Sequence, residues 1–439
     1  MLVRIKQLVG RVASGKLSLD IAWNLGSFAI LALSGVIINF IIAAVWGPQA
    51  LGVFNLVFAV YIVLSQVFTL GVHYSVLRHS AHYAQQGREL AQMTGSAVVL
   101  GIVAGALAAA VAYAGAPLAQ KLFSSARVAE GLQWAAGGLL LFPLNKILLG
   151  MANGLRLMRF FAVAQAARYL AILAWVGIVA AAGMDPQRMA AAFAIAELFV
   201  LLLCFAYLPG RLPFGRPSAQ WYRLHLSFGI RGMPAGMFVE LNSRVDVLVL
   251  GLFMSETEVG IYSFAAMLVD GYYAILTVIR NNLNPLLVHC LRDNDQTGLQ
   301  GLIRGTRRLV YPVMLLLGLV LLAGLAILVH GFLPERGLSQ SVPVLALLLS
   351  GIWLCSAFIP LDNLLMQSGQ PGWQTVQHGT LVISNLAFNL LLIPVLGLYG
   401  AALGTTLAYV AGTAMLFFLA RNRLGIDILR SRFIDRPLS

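Results

Sequence analysis

Ten charged side chains interrupt stretches of the chain that are otherwise apolar. Five are cations, Lys146, Arg168, Arg231, Arg244 and Arg280, and five are carboxylates, Glu197, Glu240, Asp246, Asp270 and Asp362. A charge at the centre of a bilayer costs at least about 2.5–3.5 kcal/mol on insertion scales, so each group requires a wet recess or a partner. Cations in such a recess have the chemistry to hold an anionic ligand. Carboxylates there can neutralise those cations, or take up a proton or a metal ion and so couple its gradient to movement.

Spacing separates these roles. Glu240 and Arg244 are four apart and pair along one helical face. Asn242 and Asp246 are also four apart, on a face about 200° round at 100° per residue. A helix through this region turns one stripe to a recess and the other to its neighbours. Arg231 either joins the recess or extends to the membrane surface. Arg168 and Lys146 have no acidic residue within one turn, which suits them to an anion. Glu197, among Ala, Leu and Phe, either neutralises Arg168 from the neighbouring helix or carries a proton. Asp270 and Asp362 are lone carboxylates, divided between helix pairing and ion coupling. The expected substrate-binding set is therefore Arg168, Lys146, Arg244, Arg280 and Arg231. The expected coupling or pairing set is Asp246, Glu240, Glu197, Asp270 and Asp362. No catalytic or metal-ligating set is expected: of seven His, only His79 and His82 lie close together, on a basic loop. There is no Gly-Lys-Ser/Thr phosphate loop, so ATP hydrolysis is not expected. No cofactor is expected beyond a coupling H+ or Na+.

The elements that must position these residues follow from composition. The 439 residues are 60% hydrophobic and 10% charged, with mean hydropathy +0.86. Ordinary soluble domains are about 45–50% apolar and about 25% charged. A soluble enzyme, a disordered chain and a disulfide scaffold are excluded, and the three cysteines, Cys204, Cys290 and Cys355, read as packing residues. Spanning helices need about 20 apolar residues. Twelve are expected, at 21–45, 51–76, 93–114, 132–152, 160–182, 189–208, 226–253, 258–288, 309–332, 341–365, 374–394 and 398–420. With the N-terminus inside, Lys and Arg in the inner segments outnumber those outside by 20 to 4, the outer ones being Lys121, Arg127, Arg188 and Arg336. That asymmetry places both ends in the cytoplasm. Arg4, Lys6 and Arg11 at the start and Arg436 at the end belong to the inner set. The net charge of +13 is thus topological and lipid-facing, and no nucleic-acid partner is expected. Residues 1–20 lack the apolar core of a cleavable signal, so the first span is expected to serve as the insertion signal. Gly101/Gly105, Gly232/Gly236 and Gly400/Gly404 are expected at close helix contacts. Pro143, Pro234, Pro285, Pro312, Pro360 and Pro394 are expected at kinks.

Pro209, Pro213 and Pro217 mark a division at 209–225, with six spans in 1–208 and six, plus a short basic tail, in 226–439. The halves echo each other: Leu51-Gly52-Val53-Phe54 and Val259-Gly260-Ile261-Tyr262 lie 208 residues apart. An even number of spans per half gives parallel repeats, a transporter architecture.

Asn385, Asn389, Pro394 and Gly397-Leu-Tyr-Gly400-Ala-Ala-Leu-Gly-Thr-Thr-Leu-Ala408 resemble the end of polysaccharide flippases of the MATE/MOP exporter superfamily, which move O-antigen and other lipid-linked oligosaccharides. So do Trp46-Gly-Pro-Gln-Ala-Leu-Gly52-Val-Phe54, Arg244-Val-Asp246 and Val259-Gly-Ile-Tyr262, and together they extend the resemblance over nearly the whole chain. It implies an all-α membrane protein of two six-helix lobes forming a V. It implies movement of an undecaprenyl-pyrophosphate-linked oligosaccharide from the cytoplasmic to the periplasmic leaflet of a bacterial inner membrane, by alternating access. A polysaccharide polymerase and glycosyltransferases are the implied protein partners, and Asp246 matches the family's acidic position. Lipid II flippases of the superfamily carry further C-terminal helices that this sequence does not, which turns the expectation away from a peptidoglycan precursor. A cation-coupled multidrug or metabolite exporter of the same superfamily is the alternative. A membrane glycan-assembly enzyme is the third, and it would need a catalytic constellation that the short loops do not offer.

Overall fold

The computed structural model describes residues 16–293 and 295–433; Arg4, Lys6, Arg11 and Arg436 lie outside the described residues. Continuous apolar sequence forms helix in a bilayer because a helix satisfies its backbone groups within one segment. The first helices are α1 (Lys16–Trp46), α2 (Pro48–Thr69), α3 (Val72–His82), α4 (Gly87–Ala114) and α5 (Ala116–Leu122). They continue as α6 (Ala126–Gly154), α7 (Met158–Ala181), α8 (Ala192–Tyr207), α9 (Ala219–Asn242), α10 (Val245–Phe253) and α11 (Glu256–Arg292). The chain then forms α12 (Gln296–Ile327), α13 (Ser341–Cys355), α14 (Leu364–Gln367), α15 (Pro371–Leu396) and α16 (Leu398–Leu424). A two-residue antiparallel pair, β1 (Ile426–Asp427) and β2 (Arg432–Phe433), follows. Polar residues set several starts. Ser255 and Glu258 form a reciprocal capping box on α11, Ser125 caps α6 and Asp295 caps α12.

Among the described residues, ten helical segments are long and apolar enough to cross a membrane, and α13 with Ile359–Gln367 adds an eleventh as a pair bent by 50°. The protein is a multi-pass membrane protein. The sequence expectation of twelve differs at 226–253, where α9 ends at Asn242 and α10 begins at Val245. Ser243 Oγ donates to Glu240 O (2.9 Å), and the Arg244 amide donates three residues back to Leu241 O (2.9 Å). Short polar side chains that bond the local backbone compete with the helical ladder. Helix α6 continues through Pro143, α11 through Pro285, α12 through Pro312 and α15 through Pro394, while Pro360 sits in the break after α13. The side chain of Pro234 and the contacts of Gly236 lie outside the described residues. Cys204 and Cys355 are buried and Cys290 is half-buried, all as free thiols.

The chain divides into two compact units, Met1–Val45 with Val57–Met237, and Trp46–Leu56 with Phe238–Ser439. The 209–225 segment, including the start of α9, belongs to the first unit. That unit's core joins Val76, Leu144, Ile147, Leu148, Val200 and Cys204. Within it α4 lies so close to α6 that a Cβ on Gly101 would stand 3.0 Å from Leu144 Cα, and one on Gly105 would overlap the Leu140 carbonyl. In the second unit Leu287, Leu299, Ile303, Leu361, Leu416 and Leu419 pack with Ile426 and Ile428 of the terminal turn. Arg307 ties that turn down through Leu429 O (2.6 Å).

The start of α2 and the start of α11 also cross within the second unit. A Cβ on Gly52 would overlap the Glu256 carbonyl, and one on Gly260 would overlap the Pro48 carbonyl. Gly52 and Gly260 are 208 residues apart, as are Pro48 and Glu256. The contact is therefore reciprocal, each glycine lying against the backbone of the other helix.

Candidate functional site

In the first unit Lys146, Arg168 and Glu197 gather where α2, α6, α7 and α8 face one another, while Arg231 lies apart on α9. Arg168 on α7 meets Glu197 on α8, with Nε 2.7 Å from Oε1 and Nη2 donating to Oε2 at 3.1 Å. Arg168 Nη1 also donates to Gln165 Oε1 (2.6 Å). Asn145 of α6 donates through Nδ2 to Glu197 Oε2 (2.8 Å) and to its backbone carbonyl (2.7 Å). The Glu197 side chain is only 2% exposed. Arg168 thus finds on the neighbouring helix the acidic partner that its own helix lacks. Lys146, half-buried one position after Asn145, donates instead to the neutral amide oxygen of Gln66 (2.7 Å). Phe142, one turn before Lys146, has the Lys146 ammonium 5.5 Å and the Arg168 guanidinium 5.4 Å from its ring centre. Tyr61 and Phe193 stack behind it at 4.7 Å. Arg231 is exposed and folds back one turn, Nε and Nη2 each donating to Ser227 at 2.8 Å.

The second unit distributes its charges differently. Asp246, in the first turn of α10, accepts from the Tyr262 hydroxyl and from the Val247 amide (2.9 Å). Tyr262 lies 3.5 Å from Thr405 Oγ1, which lies 3.4 Å from Asn385 Oδ1. Asn385 Nδ2 donates to the carbonyl and side-chain oxygens of Asn242 (3.3 and 3.4 Å), and Asn389 donates to Asn385 Oδ1 (2.7 Å). Asn389 Oδ1 is buried with no donor. Oxygen ligands of this kind suit a hard cation. Arg244 is the N-cap residue of α10, two positions before Asp246. Further along α11, Arg280 Nη1 lies 3.6 Å from Asp362 Oδ2. Asp362 also accepts from Gln377, and its carbonyl accepts from Gln374 (2.8 Å).

The structure therefore brings together Arg168 with Glu197 and Arg280 with Asp362. The expected Glu240–Arg244 pairing along one face is corrected: the helix required for it is interrupted at 243–244, and Glu240 is exposed. The Asn242–Asp246 stripe is interrupted by the same break. Tyr262, Thr405, Asn385 and Gln66 escaped the sequence reading of the charges because they are uncharged. Tyr262, Thr405 and Asn385 stood only among the residues of the family resemblance, and Gln66 carried no signal beyond a polar side chain within a span. His79 and His82 lie at the end of α3, not in a loop, and Ser75 Oγ on that helix approaches both His225 Nδ1 (2.9 Å) and His79 Nδ1 (3.3 Å).

Comparison with known proteins agrees with this architecture. The family model described as polysaccharide biosynthesis protein matches residues 19–288. The probable low-salt glycan biosynthesis flippase Agl15 of Haloferax volcanii is 22% identical over 251 residues, 55% of this chain and 52% of that protein. The chain thus spans about half the length of this curated relative. A solved multidrug resistance MATE family transporter of the MOP superfamily, in its inward-facing conformation, superposes with a TM-score of 0.74 at 13% identity, covering 91% of this chain and 95% of that one. The lipid II flippase MurJ, in an inward closed conformation, gives 0.73 at 14% identity over 94% and 90%. The chain belongs to the polysaccharide biosynthesis protein family and has the fold of MOP superfamily transporters.

Proposed function

We propose that the protein is a flippase that moves an undecaprenyl-pyrophosphate-linked oligosaccharide from the cytoplasmic to the periplasmic leaflet of a bacterial inner membrane by alternating access. Both termini are cytoplasmic in this reading. The observation that carries it is membership of the polysaccharide biosynthesis protein family, with three intramembrane cations, Lys146, Arg168 and Arg231, against one carboxylate in the first unit. A diphosphate head group takes charge-assisted bonds from such a cation, and its hydrocarbon chain remains in lipid. Asp246 is the coupling carboxylate: an H+ or Na+ at Asp246 competes with the Tyr262 hydroxyl for Oδ2, with Thr405, Asn385 and Asn389 supplying further oxygens. Glycosyltransferases that build the cargo and a polymerase that consumes it are the partners.

The test is reconstitution in vesicles with a fluorescent polyprenyl-diphosphate oligosaccharide whose outer-leaflet fraction is quenched. Wild type moves the lipid, and Lys146→Ala slows it by roughly tenfold or more, the worth of one charge-assisted bond. A second reading, a cation-coupled exporter of cationic small molecules, is favoured by the acidic set in the second unit. Export of a cationic dye with no movement of the lipid-linked sugar would replace the first reading with the second.

A further inference from the structure

Helix α11 presents three faces. Ala265, Val269, Tyr272, Leu276 and Leu287 are buried in the second unit. Gly271, Ile275, Val278 and Leu286 form an exposed, mostly apolar face, in which the one asparagine, Asn282, turns its amide back to Val278 O (2.8 Å). The third face carries Asp270, Tyr273, Thr277, Arg280, Asn281 and Asn284. At 100° per residue these six fall within an arc of about 100°. Asp270 and Asn281 are exposed and Tyr273, Thr277, Arg280 and Asn284 half-buried. Six polar side chains in one stripe cannot lie against hydrocarbon without heavy cost, so this face looks onto water.

Its chemistry is that of hydroxyl recognition. Each asparagine amide offers both a donor and an acceptor, as vicinal sugar hydroxyls require. Asn284 Oδ1 and Arg280 Nε are buried without hydrogen-bond partners, and Thr277 gives its hydrogen only to a long 3.5 Å contact with Tyr273 O. The Tyr273 ring sits 5.6 Å from Tyr409, making an aromatic pair for the apolar face of a sugar ring. Asp270 and Arg280 cancel in charge, and Arg280 already faces Asp362, so the stripe has no excess cation for a diphosphate. From 270 to 284 it runs roughly 21 Å at 1.5 Å per residue, long enough for several rings end to end.

We propose that this face of α11 is a glycan-binding surface that reads the oligosaccharide along its length, with Thr277, Asn281 and Asn284 as specificity-determining residues. It rests on the transport reading above and deepens it.

The test uses the full chain in vesicles with two polyprenyl diphosphates, one bearing a single sugar and one an oligosaccharide. In Thr277→Val, Asn281→Ala and Asn284→Ala, transport of the oligosaccharide form falls roughly fivefold to tenfold further than that of the single-sugar form, the worth of one lost hydrogen bond. Thr277→Ser, which keeps the hydroxyl, restores the ratio. Asn281 is exposed, so its truncation spares the packed core and gives a readout even if Asn284→Ala misfolds. An unchanged ratio in all three variants, with wild type moving both lipids, overturns the glycan surface and leaves the flippase reading standing. Wild type moving neither lipid overturns both. Variants that instead alter export of a cationic dye reassign the face to a cationic ligand.

Discussion

Of the ten charged side chains that sequence places in spans, the first unit holds three cations and one carboxylate, and the second holds two cations and four carboxylates. The set cancels as a whole, yet neither unit is neutral. The bonding differs as well as the sign. In the first unit one cation and one carboxylate are locked at 2.7 Å, braced by Asn145 and Gln165. In the second, Asp246 is reached through neutral groups, Tyr262, Thr405 and Asn385, and the Arg280–Asp362 pair stands open at 3.6 Å. The proposed anion site and the proposed cation site thus fall in different units. In the first unit Glu197 is engaged by Arg168 and Asn145, while Lys146 donates to Gln66.

If that contrast is right, the largest effect belongs to Glu197→Ala. It leaves the Arg168 guanidinium buried without its carboxylate, a loss of about 3–5 kcal/mol for a broken buried pair. A steep fall in folded yield and in the thermal midpoint in detergent is expected. The double variant Arg168→Met with Glu197→Met should recover most of it, because removing both charges removes the desolvation penalty. A single variant as stable as wild type would erase the distinction between closed and open charges. Lys146→Ala comes next and has the opposite signature. Stability changes by about 1.5–3 kcal/mol, the scale of a hydrogen bond from a charged donor such as that to Gln66, while lipid movement falls as proposed. Equal losses of stability and transport would place Lys146 with Arg168 in a structural cluster.

Much of this was legible in sequence where one dominant force acts. Of the twelve spans expected from apolar runs, ten correspond among the described residues to helices long and apolar enough to cross a membrane and one to a bent pair, and Glu197 was readable as a partner of Arg168 because the two sit on consecutive helices. Their pairing changes what an Arg168→Ala variant reports: it strands Glu197, so lost transport there is no longer separable from lost folding. The break at Asn242–Arg244 was not legible, since hydrophobic spacing takes no account of Ser243 and Arg244 bonding the nearby backbone. Nor was the link from Asp246 to Asn385, which joins residues on separate helices through Tyr262 and Thr405. The polar face of α11 was within reach: counting Thr277, Asn281 and Asn284 along with Asp270 and Arg280 reveals its 3.6-residue period.

The second unit should tolerate neutralisation that the first does not. Asp246→Asn keeps an oxygen for the Tyr262 hydroxyl and removes a buried charge, so stability should move by only about 1 kcal/mol. Transport measured with and without an imposed H+ or Na+ gradient should lose its gradient dependence, and a retained response would place coupling elsewhere. The smallest effect is expected at Asp362→Asn. An N···O separation of 3.6 Å exceeds the hydrogen-bond range, and the side chain remains held by Gln377 while its carbonyl holds Gln374. A loss of about 1 kcal/mol or less is therefore expected, comparable to a weak surface pair. The informative comparison is with Glu197→Gln, which makes the same chemical change at the 2.7 Å pair. The thermal midpoint should fall several times further for Glu197→Gln than for Asp362→Asn. Equal falls would show that Arg280 and Asp362 close as tightly as Arg168 and Glu197, and the two units would then differ in sign but not in how they hold their charges.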